Sequence, residues 1–78
     1  MDVLCFGIAR DLTGHRSVSI DSDDIHTVAD LRKALDTSFP ELGRLSVYMI
    51  AVNESYALDS DQVKEGDEIA IIPPVSGG

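Results

Sequence analysis

Residues 68–72, Glu68-Ile69-Ala70-Ile71-Ile72, form a short run of mostly β-branched apolar side chains. Such a run is typical of a buried β-strand. Pro73 and Pro74 end the strand, because proline donates no ladder hydrogen bond and fixes its φ angle. The chain then finishes in two glycines, which lack a Cβ and so fit a channel too narrow for other residues. We therefore expect a folded domain over residues 1–72 and a flexible C-terminal tail over residues 73–78.

Four other strands are predicted, two in the first part of the chain and two in the second. Residues 3–9 are nearly all apolar, which predicts a central strand covered on both faces. Residues 10–15 supply turn types, and residues 17–21 alternate polar and apolar, as in a strand with one solvent-facing side. Residues 47–52 predict a third strand, and residues 56–58 a very short fourth strand before the strand at residues 68–72.

One amphipathic helix is predicted between the second and third strands. Thr27 is a suitable N-cap, and Asp30 three residues later makes a capping box with it. Apolar residues recur at helical spacing on one side: Val28, Leu31, Ala34 and Leu35. The helical pattern fails at residues 38–40, where Pro40 disfavours helix in the residue before it. A helix with one apolar stripe should pack on a sheet.

The resulting order is ββαββ, with a long apolar first strand and a short apolar last strand. Because both strands look buried, we pair them in parallel at the centre of a mixed sheet, with the one main helix packed on one face. This α+β arrangement is the β-grasp, or ubiquitin-like, roll.

The composition narrows the classes of function. The chain has 78 residues, which suits one domain, and its six Lys/Arg against fourteen Asp/Glu give a net charge of −8. A polyanion such as DNA would be repelled, so we expect no nucleic-acid partner. No apolar run approaches the length of a membrane span, and strand-like sequence begins within the first three residues. We therefore expect no membrane partner, no signal peptide and a cytoplasmic location.

The sequence offers no convincing self-contained active site or metal site. Cys5 is the one cysteine, so the sequence offers no disulfide framework and no thiolate metal set. Its apolar neighbours favour an inert core thiol over a reactive one. His15 and His26 lie in polar turns without cysteine partners or a second histidine at ligand spacing. We expect no bound metal and no bound cofactor.

The element order and the C-terminal end together resemble the small, sulfur-carrying subunit of molybdopterin synthase. The resemblance spans the whole chain, and these motifs carry it: Val3-Leu4 with Phe6, Arg10 with Leu12-Thr13-Gly14, Thr27-Val28 with Leu31-Arg32, Ala51-Val52-Asn53, Gly66-Asp67-Glu68, and Pro73-Pro74-Val75-Ser76-Gly77-Gly78. Two terminal glycines alone are not specific. Their combination with the β-grasp pattern and the preceding Pro-Pro-Val-Ser segment is much more specific for this family.

The resemblance implies a sulfur carrier that is not catalytic alone. The Gly78 carboxylate would be adenylated with ATP by an activating enzyme of the ubiquitin-E1 type and then converted to a thiocarboxylate. The loaded tail would enter the large, catalytic subunit and pass sulfur to a cyclic pyranopterin phosphate, forming the dithiolene of molybdopterin for molybdenum cofactor biosynthesis. The same resemblance implies a heterotetramer of two small and two large subunits.

The resemblance also assigns roles to individual residues. Gly78 would carry the reacting atom, and Gly77 would keep the approach narrow. The surface that binds the large subunit would include Phe6, Arg10, Tyr56, Ile72 and the tail residues Pro73, Pro74, Val75 and Ser76. Ile71-Ile72 stand where the family often has aromatic residues, which leaves the fine shape of this surface open.

The same docking residues have plain structural explanations. Phe6 and Ile72 are equally consistent with core positions, and Arg10 is equally consistent with a solvated strand end. Tyr56 is also compatible with a lone exposed aromatic, which is common on small proteins.

Three other functions stay open on the sequence. A carrier with the same chemistry could serve thiamine synthesis or tRNA thiolation. A ubiquitin-like protein modifier would instead be joined to lysines through Gly78. A β-grasp interaction module would make no chemical use of its two terminal glycines.

Overall fold

The computed structural model describes residues 1–45 and 48–73 of the chain. Within these segments the secondary-structure elements are, in order, β1 (Asp2–Cys5), α1 (Gly7–Thr13), β2 (Ser17–Ser19), α2 (Val28–Ser38), a 3₁₀ helix (Pro40–Arg44), β3 (Met49–Val52), β4 (Ser55–Tyr56) and β5 (Ile69–Ile72).

The strands form one mixed sheet in the order β2-β1-β5-β3-β4. β1 and β5 pair in parallel, with Val3 opposite Ile69 and Cys5 opposite Ile71. The other neighbouring pairs are antiparallel. The predicted parallel pairing of the first and last strands is thus confirmed, with β5 in the middle of the sheet. With α2 across one face, this is the predicted β-grasp roll.

The main helix forms where the sequence predicts it. The Thr27 hydroxyl accepts a hydrogen bond from the Asp30 backbone N–H at 3.2 Å, and the Asp30 carboxylate accepts one from the Thr27 N–H at 3.2 Å. This reciprocal capping box satisfies N–H groups that the first helical turn leaves unpaired. α2 ends at Ser38, and Pro40 then begins the 3₁₀ helix.

The hydrophobic core lies between α2 and one face of the sheet. The sheet contributes alternate residues, Val3 and Cys5 from β1 and Ile69 and Ile71 from β5, and all four are buried. α2 contributes the buried side chains Val28, Leu31 and Leu35. The helical and strand periodicities therefore meet in a single core.

The prediction of a first strand over residues 3–9 is wrong beyond Cys5, and the turn predicted over residues 10–15 is largely helix. Gly7 has φ of +54°, so the chain turns sharply after Phe6 and α1 begins at once. α1 packs Ala9 fully into the core and ends at Gly14, whose φ is +79°. The apolar run is therefore a short strand followed by a short helix, and the ββαββ order lacks α1.

Burial of β1 and β5 on both faces is also wrong. Leu4 in β1 and Ala70 and Ile72 in β5 are only half-buried, on the side of the sheet away from the core. The bounds of three other strands differ from the predicted bounds by one or two residues. β2 ends at Ser19, β4 is Ser55–Tyr56 rather than residues 56–58, and β3 begins at Met49.

Replacing Leu31 with alanine should destabilise the fold strongly. Leu31 is fully buried in the face of α2 that packs on the sheet, so the change leaves a cavity in the core. We expect a loss of about 2–5 kcal/mol in the free energy of unfolding, measured by urea denaturation. Lys33→Ala on the exposed side of α2 is the control. Equal stability of the two variants would contradict the assignment of this core.

The capping box should make the domain sensitive to acid. Hydrogen bonds from the backbone N–H groups of His26 and Thr27 hold the pKa of Asp30 below its ordinary value of 3.8. A lowered folded-state pKa means that the stabilisation is present above about pH 4 and is lost as the pH falls through the folded pKa.

We expect the stability difference between the wild type and Asp30→Asn to shrink as the pH falls from about 7 to about 3, with melting temperatures as the measurement. Asp24→Asn is the control, since Asp24 is exposed and lies outside the capping box. A difference that stays constant across this range would show that the charge of Asp30 does not support the cap.

Candidate docking groove and tail exit

The sheet face opposite α2 carries an apolar surface. Leu4 and Ala70 face each other across β1 and β5, and Met49 lies opposite Ile72 across β3 and β5. Tyr56 in β4 lies opposite Ala51. Alternation along each strand places all these side chains on the same side of the sheet, away from the core.

A groove with a volume of about 370 Å³ crosses this face. Its walls are Phe6, Ala51, Glu54, Tyr56, Glu68, Ala70 and Ile72. Five of the seven are apolar or aromatic, and the two carboxylates lie beside the β3–β4 turn and at the start of β5. This groove is hereafter the docking groove.

The structure brings three of the predicted partner-binding residues together in the docking groove. Phe6 is 49% exposed and Tyr56 is 69% exposed. Ile72 is half-buried at the end of β5. The exposure of Phe6 excludes the alternative that it is plain core.

Arg10 is not part of the docking groove. It lies in α1, so its alternative placement at a solvated strand end is wrong. Its side chain is exposed, and its backbone N–H bonds to the Phe6 carbonyl oxygen at 3.4 Å. Arg10 is therefore one helical turn from the groove-lining Phe6, at the side of the groove rather than within it.

The C-terminal tail leaves the sheet beside the same groove. Pro73 follows Ile72 and lies close to Gly7, where an added Cβ would come 3.5 Å from the Pro73 Cγ. Phe6 and Ile72 therefore mark the end of the groove that lies next to Pro73. The prediction of a flexible tail falls outside the described residues. The same holds for the roles predicted for Pro74, Val75, Ser76, Gly77 and Gly78.

Asn53 fixes the opposite end of the groove. Its backbone N–H donates to the Glu68 carbonyl oxygen at 2.7 Å, and its side-chain oxygen accepts from the Glu68 N–H at 2.9 Å. Asn53 and Glu54 have φ of 52° and 70°, as expected for the two central residues of a tight hairpin turn. The turn is thus fastened to the start of β5, with Glu54 and Glu68 both on the groove wall.

Asp67 supports this fastening from the adjoining turn. Its carboxylate accepts hydrogen bonds from the Lys64 backbone N–H at 2.9 Å and from the Asn53 side-chain amide at 3.2 Å. These bonds hold the pKa of Asp67 below its ordinary value, with the Lys64 N–H as the largest cause. The carboxylate is therefore charged at neutral pH and orients Asn53.

Sequence reasoning misses four residues of the groove wall: Ala51, Glu54, Glu68 and Ala70. The small side chains Ala51 and Ala70 face each other and form its floor. The pattern Ile69-Ala70-Ile71 indicates this floor, because a small residue between two large ones leaves one face of the strand less filled than the other. The two glutamates could not be found in this way, since their proximity depends on the β3–β4 turn.

The rest of the described structure adds no catalytic arrangement. Among the described residues, no three His, Cys, Asp or Glu side chains come together to hold a metal ion. Cys5 is a buried thiol within the core. In the same part of the chain, no helix has the length and apolar character needed to cross a membrane.

Comparisons with solved structures agree with this architecture. SAMP1 from Haloferax volcanii superposes with a TM-score of 0.85 at 31% identity, covering 100% of this chain and 98% of that chain. A complex of subunits 1 and 2 of molybdopterin-converting factor from Helicobacter pylori contains a similar chain, with a TM-score of 0.68 and 28% identity over 99% of this chain and 96% of that one.

Comparisons of sequence point in the same direction. The chain is 40% identical over 77 residues to the molybdopterin synthase sulfur carrier subunit of Arabidopsis thaliana, covering 97% of this chain and 80% of the relative. The model of the ThiS family matches residues 3–78. The chain therefore belongs to the ThiS family, and its resemblance to the small subunits of molybdopterin synthase is confirmed.

Proposed function

We propose that this chain is the sulfur-carrier subunit of a molybdopterin synthase. The observation that carries the proposal is the likeness to curated sulfur carrier subunits, 40% identical over nearly the whole chain. The structure supports it with an exposed apolar groove beside the point where the tail leaves the sheet.

The chemistry belongs to the Gly78 carboxyl group. A carboxylate oxygen attacks the α-phosphorus of ATP on an activating enzyme, forming an acyl adenylate and releasing pyrophosphate. Hydrosulfide from the sulfur donor then attacks the acyl carbon and displaces AMP, which leaves a thiocarboxylate. On the large subunit, the thiocarboxylate sulfur attacks the pyranopterin precursor to form a thioester. Water then hydrolyses this thioester, which leaves the sulfur on the precursor and restores the Gly78 carboxylate. The activating enzyme and the Gly78 modification are parts of the proposal.

The folded body contributes recognition rather than catalysis. Apolar and aromatic side chains in a partly preformed groove are typical anchors of a protein interface. Phe6, Tyr56 and Ile72 would bind the large subunit, while the tail that starts at Pro73 reaches into its active site. The similar Helicobacter pylori chain belongs to a complex of subunits 1 and 2 of molybdopterin-converting factor, which supports a second, different subunit as the partner here. The heterotetramer and the cytoplasmic location belong to the same proposal.

The likeness to SAMP1 from Haloferax volcanii supports a second candidate, a protein modifier conjugated through Gly78. The two functions share the adenylation step and differ in the acceptor, which is a lysine amine in one and a pterin precursor in the other. Isopeptide-linked conjugates in a cell extract would identify the modifier. Their absence, together with recovery of a large pterin-synthase subunit, would identify the carrier.

Incubating the full chain with the activating enzyme, ATP and a sulfur donor should replace one carboxylate oxygen of Gly78 by sulfur. The measurement is intact mass followed by mapping of the C-terminal peptide. Deleting Gly78 shortens the reach of the tail by about 3.3 Å, and we expect sulfur loading to fall by more than about 100-fold. An unmodified mass for the wild-type chain under these conditions would contradict every carrier function.

Removing the aromatic ring of Tyr56 should weaken binding to the large subunit. Tyr56 lines the docking groove and is exposed, so truncation costs contact area in the complex but little in the free chain. We expect Tyr56→Ala to raise the dissociation constant roughly 30-fold, measured by calorimetry, with an unchanged melting temperature.

The matched control for this variant is Leu58→Ala. Leu58 is 72% exposed and comparably apolar, but it lies outside the docking groove. Equal effects of the two substitutions on the dissociation constant would place the interface elsewhere on the chain.

A further inference from the structure

We propose that Glu54 and Glu68 make the docking groove selective for a partner that brings a Lys or Arg side chain to the end of the groove remote from the tail. The inference rests on the function proposed above and names the chemistry that the large subunit must present. It concerns the direction and specificity of docking, which an apolar surface alone does not define.

The docking groove has two chemically different ends. β5 runs from the residue after Glu68 to Ile72, so these two residues are separated by about 13 Å at 3.3 Å per residue. The Ile72 end, with Phe6, is apolar and adjoins the tail. The Glu68 end, with Glu54, carries two carboxylates and adjoins the β3–β4 turn.

Neither carboxylate forms an ion pair with a described residue. Across residues 1–45 and 48–73, the ion pairs join the Met1 amino group to Glu65 and Arg32 to Asp59. The groove wall itself contains no Lys or Arg. Glu54 and Glu68 are both exposed, so water solvates their charges in the free chain. A partner cation could therefore pair with them without first breaking an ion pair.

The backbone at this end is held in place before any partner arrives. The two hydrogen bonds between Asn53 and Glu68, at 2.7 and 2.9 Å, fasten the turn to β5. Glu54 occupies a turn position with φ of 70°, where hairpins of this kind favour glycine. The turn therefore holds the backbone of Glu54 beside the start of β5, with Glu54 and Glu68 on the same groove wall.

Charge complementarity at the rim of an interface acts mainly on association rate and on partner choice. A partner with Lys or Arg at the matching position is attracted, and one with Asp or Glu there is repelled. Because hydrophobic contact is non-directional, the charged end also fixes which way round the partner lies. The tail then points toward the partner's active site rather than away from it.

The test measures association of the full-length chain with the purified large subunit by stopped-flow fluorescence at low and high salt. The groove variant is Glu54→Gln/Glu68→Gln, and the control is Asp24→Asn/Glu41→Gln, which removes the same charge from exposed positions outside the groove. We expect the groove variant to associate about tenfold more slowly at low salt and to lose most of its salt dependence, while the control stays close to the wild type.

A charge-conserving variant, Glu54→Asp/Glu68→Asp, should restore rapid association, which a loss of folding or of shape would not allow. Equal association rates for the groove variant and the control would overturn the inference and leave the proposed function intact. A wild-type chain that gains sulfur but does not bind the large subunit would overturn both.

Discussion

The parallel pairing of β1 with β5 is the contact on which the rest of the structure depends. It joins the beginning of the chain to its end, and it places β5 between β1 and β3 in the middle of the sheet. The alternate residues of these strands build the core beneath α2. The same alternation leaves a shallow apolar surface on the other side. The core and the docking groove therefore lie on opposite faces of the same hydrogen-bonded sheet.

Much of this fold could be predicted because its signals are local. The apolar stripe and capping box define α2, and Pro73 directly follows the last residue of β5. The predicted first strand extends beyond Cys5 because an apolar run does not distinguish a buried strand from a strand followed by a helix. In this chain the positive φ of Gly7 ends the strand and lets the helix begin. A single glycine in an apolar run does not predict such a φ angle.

The candidate site was only partly predictable for a related reason. Phe6, Tyr56 and Ile72 followed from the resemblance to a family, and they do line one groove. The carboxylates of that groove come from separate stretches of chain that Asn53 holds together through hydrogen bonds to β5. A contact between residues so far apart in sequence has no periodic pattern, so it appears only once the turn geometry is known.

The central position of β5 also has a mechanical consequence. A protein that grips the C-terminal tail and pulls applies its force to the strand with hydrogen-bonded neighbours on both sides. If the other end of the chain is held, the force acts along the parallel strands β1 and β5 in opposite directions. The hydrogen bonds between the two strands are then sheared and must break together rather than one at a time. The central position of β5 thereby anchors the domain against a force applied at its C-terminal end.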